Sequence, residues 1–165
     1  MNPQDANGPR ASVRRILFRV PGKPVGQPRV RHALNKATGG IIAYGDKNHE
    51  VVAYRAAVGM MARQAVAGLE LGEAWLGPVE VSILFVMPRS ATVKLPGGGK
   101  GDPPPGRYRS IHKPDVDNLC KAVLDGITSC ESVWHDDCQV VKLTADKWHA
   151  AQGEAPFTMV EVRWV

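Results

Sequence analysis

The run Arg15-Ile16-Leu17-Phe18-Arg19-Val20 is rich in apolar and β-branched residues and stops at Pro21-Gly22 and Pro24, which predicts a first strand. From Asp46 to about Ala67, Val51, Tyr54, Ala57, Val58, Met61 and Ala65 recur at three- and four-residue spacing. That is the period of an amphipathic helix, and Gly68 can end it. Val79 to Val86 alternates at first and is then continuously apolar, as a strand does when both of its faces become covered. A second helix is predicted from Pro114–Asp117 to about Ser129, with Leu119, Ala122, Val123 and Ile127 on its buried face. Val140–Ala145 and Phe157–Trp164 supply two further strands.

Between these elements the pattern breaks down. Residues 1–12 are polar and aperiodic, so a flexible tail is expected there, followed by a single domain over 13–165. Residues 23–44 read as a basic surface loop or hairpin, and the Gly/Pro-rich stretch 88–110 as a long mobile loop. The order β, α, β, α, β, β predicts an α/β (α+β) fold, a small mixed sheet of about four strands with two packed helices.

With 44% hydrophobic and 22% charged residues, the 165-residue chain has the composition of an ordinary globular protein. No segment approaches the roughly 18 apolar residues of a membrane helix, and the start lacks a signal-peptide core, so a cytoplasmic protein with no membrane partner is expected. Three cysteines, an odd number, suggest free thiols. Cys130, His135, Cys138 and His149 contain no close Cys-x-x-Cys pair, and Cys138 falls in a predicted strand, so zinc is disfavoured.

The net charge of +5 suits a polyanionic partner, and its distribution sharpens that reading. From Arg10 to Lys36 there are eight Lys/Arg and no acid, and from Arg89 to Lys113 six against Asp102 alone. Between Asp115 and Asp137 the balance reverses, with six acids facing only Lys121.

An aspartate can cap a helix, which accounts for one of the Asp115/Asp117 pair. The second, and the further pair Asp136-Asp137, call for a cation, because neighbouring carboxylates repel one another. Magnesium prefers oxygen ligands and bridges carboxylates to phosphates. Basic loops would then attract a phosphodiester backbone while the acidic island holds metal against it. Lys121, four residues after Asp117 and so on the same helix face, is a candidate phosphate contact. An EF-hand is excluded, because Cys120 and Gly126 stand where Gly and Glu are required. Gly97-Gly98-Gly99-Lys100 lacks P-loop spacing. Trp134 is expected to be a core or dimer-interface aromatic, and His135 a loop histidine.

The segment Asp115-Val116-Asp117-Asn118-Leu119 with Lys121, followed by Trp134-His135-Asp136-Asp137-Cys138-Gln139, resembles the RusA-type Holliday-junction resolvases, which are metal-dependent endodeoxyribonucleases. The joint pattern D-x-D-N-x-x-K and W-x-D-D-x-Q covers residues 113–139. The resemblance implies that Asp115, Asp117 and Asp137 are metal-binding catalytic carboxylates and Lys121 a catalytic or phosphate-contacting base. Asp136 and Asn118 would be supporting residues. It further implies Mg2+, with Mn2+ able to substitute, and a homodimer making two symmetric nicks in a four-way junction during recombination and repair. Lys23, Arg29, Arg31, Lys36, Arg107, Arg109 and Lys113 would then lie over the DNA arms. The rival reading is a non-catalytic protein that binds branched DNA on a resolvase-like scaffold.

Overall fold

Strict alternation of buried and exposed side chains along β1 (Arg15–Pro21) puts Ile16, Phe18 and Val20 on one face of a sheet. The computed structural model describes residues 15–28, 31–35, 37–44, 49–67, 69, 74–94, 97 and 99–165. The expected tail over 1–12 and the basic residues Arg29 and Lys36 lie outside these.

The elements after β1 are a hairpin of β2 (Arg31–Leu34) and β3 (Ile41–Tyr44), helix α1 (His49–Val66), and β4 (Val79–Met87). The short strands β5 (Val93–Lys94), β6 (Lys100–Gly101) and β7 (Tyr108–Arg109) follow. Helix α2 (Val116–Thr128), a 3-10 turn (Asp137–Gln139), β8 (Val140–His149) and β9 (Phe157–Trp164) complete the chain. The main sheet has five strands in the order β1-β9-β4-β8-β7. β4 and β8 run parallel, joined through α2, and the other neighbours are antiparallel.

Helices α1 and α2 cover one face, where Val81, Ile83, Phe85, Val160 and Val162 meet Val58, Leu119, Val123 and Ile127. Inside this layer the Tyr54 hydroxyl and Thr158 Oγ1 are 2.6 Å apart, which satisfies two buried polar groups with one bond. A smaller cluster of Val86, Ala150 and Phe157 occupies the other side, with Leu84 and Met159 against it.

The predicted mixed sheet with two packed helices is observed, with one strand more than expected. The additions are β7, two residues long and carrying no pattern, and the far half of β8. Asp146-Lys147-Trp148-His149 continues that strand without apolar alternation, so periodicity stops at Ala145 while the backbone pairing runs on. The stretch 23–44 does contain a hairpin, and part of the 88–110 loop is ordered into the β5–β6 ladder.

Candidate active site

Asp115 is the amino-terminal flanking residue of α2, in extended conformation (φ −68°, ψ 150°), and its carbonyl accepts from the Leu119 N–H at 3.1 Å. Its side chain makes no cap hydrogen bond. Asp117 lies in the first turn, and both aspartates are on the exposed side of a helix whose other side buries Leu119, Ala122, Val123 and Ile127 as predicted, along with Cys120 and Gly126. The Cys120 thiol is pushed up to about 11, chiefly by burial and then by the charge of Asp117.

The second half of the motif is built around a buried tryptophan. Trp134 is fully buried and donates from its indole to Thr128 Oγ1 at 2.8 Å, so it is a core residue. From that anchor the chain turns outward. Asp136 accepts from the Cys138 N–H at 2.8 Å and, with Gln139 bonding back to the Asp136 N–H, forms a capping box over Asp137–Gln139. Hydrogen bonds from Cys138, its N–H first and its thiol second, hold the Asp136 carboxyl below its ordinary range. Cys138 is therefore in an exposed turn and not in the strand that periodicity suggested, because the capping box delays β8 until Val140.

The two halves meet at Lys121. Its Nζ is 2.7 Å from Asp125 Oδ1, one helical turn on, and 3.1 Å from Asp137 Oδ2. Hydrogen bonds to Asp125 first and Asp137 second raise the affinity of Lys121 for its proton, so it stays an ammonium across the neutral range. The pairing of Lys121 with Asp137 is a contact that motif spacing could suggest but not measure.

Two further features border α2 without any sequence signal. The Gln27 N–H donates to the Asn118 carbonyl at 2.8 Å, and Gly26 lies so close to Pro114 that a β-carbon there would sit 2.8 Å from Pro114 Cβ. From β8, Lys147 Nζ donates to the His112 and Pro114 carbonyls at 2.7 and 2.8 Å.

Of the basic residues expected to meet DNA, Lys23 and Lys113 are exposed, and Arg31 is in β2 of the hairpin. Arg107 pairs with Glu154, while Arg109 pairs with Asp146 and lies over the Trp148 ring at 3.9 Å. Those two guanidinium groups are oriented by partners within the chain.

An all-carboxylate donor set of partly exposed aspartates suits a hard cation that keeps some of its waters, so Asp115, Asp117 and Asp137 fit magnesium in donor chemistry. Among the described residues no group of three or more His, Cys, Asp or Glu is gathered closely enough to hold a metal ion. Asp137 is turned toward Lys121 instead.

A mixed sheet carrying aspartates and a lysine at the exposed end of a crossover helix, in a basic chain, has the make-up of a phosphodiester-cleaving nuclease domain. The chain belongs to the endodeoxyribonuclease RusA family, whose profile matches residues 21–163 of its 165. Membership implies Holliday-junction resolvase nuclease activity on branched DNA. No curated protein matches the chain.

Proposed function

We propose that this chain, as a single nuclease domain over 13–165, is a magnesium-dependent, dimeric resolvase that cuts four-way DNA junctions by paired symmetric nicks, in recombination and repair in the cytoplasm. The observation that carries the reading is the 3.1 Å contact between Lys121 and Asp137, which joins the two halves of the D-x-D-N-x-x-K and W-x-D-D-x-Q signature. Asp115, Asp117 and Asp137 would hold the metal, with Mn2+ able to substitute. Bound there, it would supply an activated water and charge stabilisation at the phosphate, for hydrolysis to 5′-phosphate and 3′-hydroxyl ends.

The rest of the task falls to the chain's own groups. Lys121, kept protonated by Asp125 and Asp137, donates to a phosphate oxygen as negative charge develops there. Asp136 and Gln139 hold the turn that presents Asp137, and Asn118 holds the 26–27 loop through its carbonyl. Lys23, Arg29, Arg31, Lys36, Arg107, Arg109 and Lys113 would guide the arms of the junction. Two copies related by a two-fold axis match the symmetry of the substrate.

The test is cleavage of a synthetic four-way junction beside linear duplex of the same sequences, with and without Mg2+, by the native chain and by Asp117→Asn. Paired, metal-dependent nicks in the junction alone are expected, with the variant slower by about a hundredfold or more and its junction binding retained or tightened. Binding without cutting in either Mg2+ or Mn2+ would leave a junction-binding scaffold in place of an enzyme.

A further inference from the structure

We infer that Lys147 is a positioning residue for the catalytic end of α2: its ammonium, by gripping the His112 and Pro114 carbonyls, fixes where Asp115 stands. The inference rests on the nuclease reading of Asp115 and deepens it.

Parallel pairing sets Lys147 beside Phe85, which is fully buried on the helix-covered face of the sheet. Lys147 is itself half-buried there, and its ammonium is hydrogen-bonded within the chain. Its donors go to two backbone carbonyls of one short segment, at 2.7 and 2.8 Å. The second of these carbonyls belongs to the peptide unit that leads into Asp115.

The grip ends a series of ties between the chain leading to α2 and three consecutive residues of β8. Tyr108 and Arg109 pair with His149 and Trp148, and the Tyr108 and His149 rings stack with centroids 4.8 Å apart. The Ser110 N–H then donates to the Lys147 carbonyl at 3.1 Å. Beyond Ser110 the backbone ladder stops, and the Lys147 side chain takes over as the link to β8. The 26–27 loop adds its own contacts, with Gly26 backing onto Pro114 and Gln27 bonding to Asn118. The segment that delivers Asp115 is thus held both by β8 and by the 26–27 loop. The body of α2 is anchored separately, by Leu119, Val123 and Ile127 in the core. Loss of the ammonium therefore shifts the acid without unfolding the helix.

The test compares the full-length native chain with Lys147→Met, which keeps the aliphatic stem, and Lys147→Arg, whose guanidinium can still donate to two carbonyls. Three quantities are measured: the single-turnover rate of junction cleavage in Mg2+, junction affinity without divalent metal, and amide hydrogen exchange of the metal-free protein. For Lys147→Met, the rate is expected to fall roughly 10- to 100-fold, the scale of a small misplacement of a reacting group. Affinity is expected to hold, with faster exchange confined to the Gln27, Ser110 and Leu119 amides, and Lys147→Arg is expected to recover most of the rate. A Lys147→Met chain as fast as the native one overturns the inference. So does equal loss in both variants with exchange rising throughout the core, since that describes general destabilisation. A native chain that cuts no junction overturns the nuclease reading, and this inference with it. A native chain that cuts beside an equally active Lys147→Met overturns this inference alone.

Discussion

Gln139 uses all four hydrogen-bonding positions of its amide. Oε1 accepts from the His135 and Asp136 N–H groups at 2.8 and 2.9 Å, and Nε2 donates to the Trp75 and Gly77 carbonyls at 2.7 and 2.8 Å. It clasps the acidic turn to a strand-preceding loop some sixty residues earlier in the chain. Replacing it by Ala leaves these backbone groups to find water, at a cost of about 1–3 kcal/mol, read as a lower urea midpoint. Cleavage should fall further than stability does, because Asp137 loses the turn that presents it. The motif residues Asp115, Asp117, Lys121, Asp136 and Asp137 were visible in the sequence because chemistry and spacing both mark them. Gln27 and Lys147 were not, because each acts by bonding a distant carbonyl, and such a role leaves no local pattern. A second residue-scale prediction concerns Glu154, whose carboxyl is lowered from 4.5 to about 2, chiefly by Arg107 and then by the Ala151 N–H. A depressed carboxyl contributes stability that is fully present above its unfolded pKa and lost as pH falls through the folded one. Glu154→Gln should therefore lie below the native chain in stability near neutrality, by about 0.2–1 kcal/mol for so exposed a pair. The gap should shrink below pH 4.5 and vanish near pH 2, following the two limits of that titration; thermal melts across that range check it.

At the scale of elements, α2 is placed by its contact with α1. A β-carbon on Gly126 would lie 2.8 Å from the Arg55 carbonyl oxygen and 2.9 Å from Val58 Cβ, and one on Gly59 would lie 2.8 Å from the Gly126 carbonyl oxygen. The two helices cross where each has no side chain, so neither can give way through a rotamer change. Gly126→Ala should destabilise the protein by about 1–3 kcal/mol, the usual effect of overpacking, despite the better helix propensity of alanine. Chemical denaturation measures it, and an unchanged midpoint would mean that the crossing is looser than the structure has it. The same crossing explains why the α1 face was only partly legible. Val51, Tyr54 and Val58 are buried as the period predicts, but Gly59, Ala62 and Val66 are buried too, while Ala57, Met61 and Ala65 are half-covered. Periodicity weights large apolar residues, whereas close helix packing selects small ones. β1, β4 and β9 were legible because their inward positions are apolar almost throughout. The end of β8 was hidden because Lys147 and His149 face inward there on polar duties, the His149 ring bonding to the Pro88 carbonyl at 2.7 Å.

At the scale of the whole molecule, a +5 chain gathers six of its sixteen acids between Asp115 and Asp137, where Lys121 is the lone base. In the structure the acid-rich helix end is met by Gly26 and Gln27, a few residues after Lys23, and is preceded in the chain by Lys113. Both lysines are exposed. On the proposed function, a phosphodiester strand drawn in by these flanks would pass the aspartates, dividing attraction and chemistry between neighbouring segments. If this division holds, the flanking lysines set affinity through counterion release and leave the chemical step alone. The logarithm of junction affinity should fall linearly with the logarithm of salt concentration. The double variant Lys23→Ala/Lys113→Ala should reduce that slope by about two, since each phosphate contact contributes close to one. Its single-turnover rate at saturating protein should stay near the native value. A slope unchanged by the double variant would move the phosphate contacts elsewhere on the basic surface. A collapsed rate with a normal slope would instead place Lys113, two residues before Asp115, within the machinery that positions the acids.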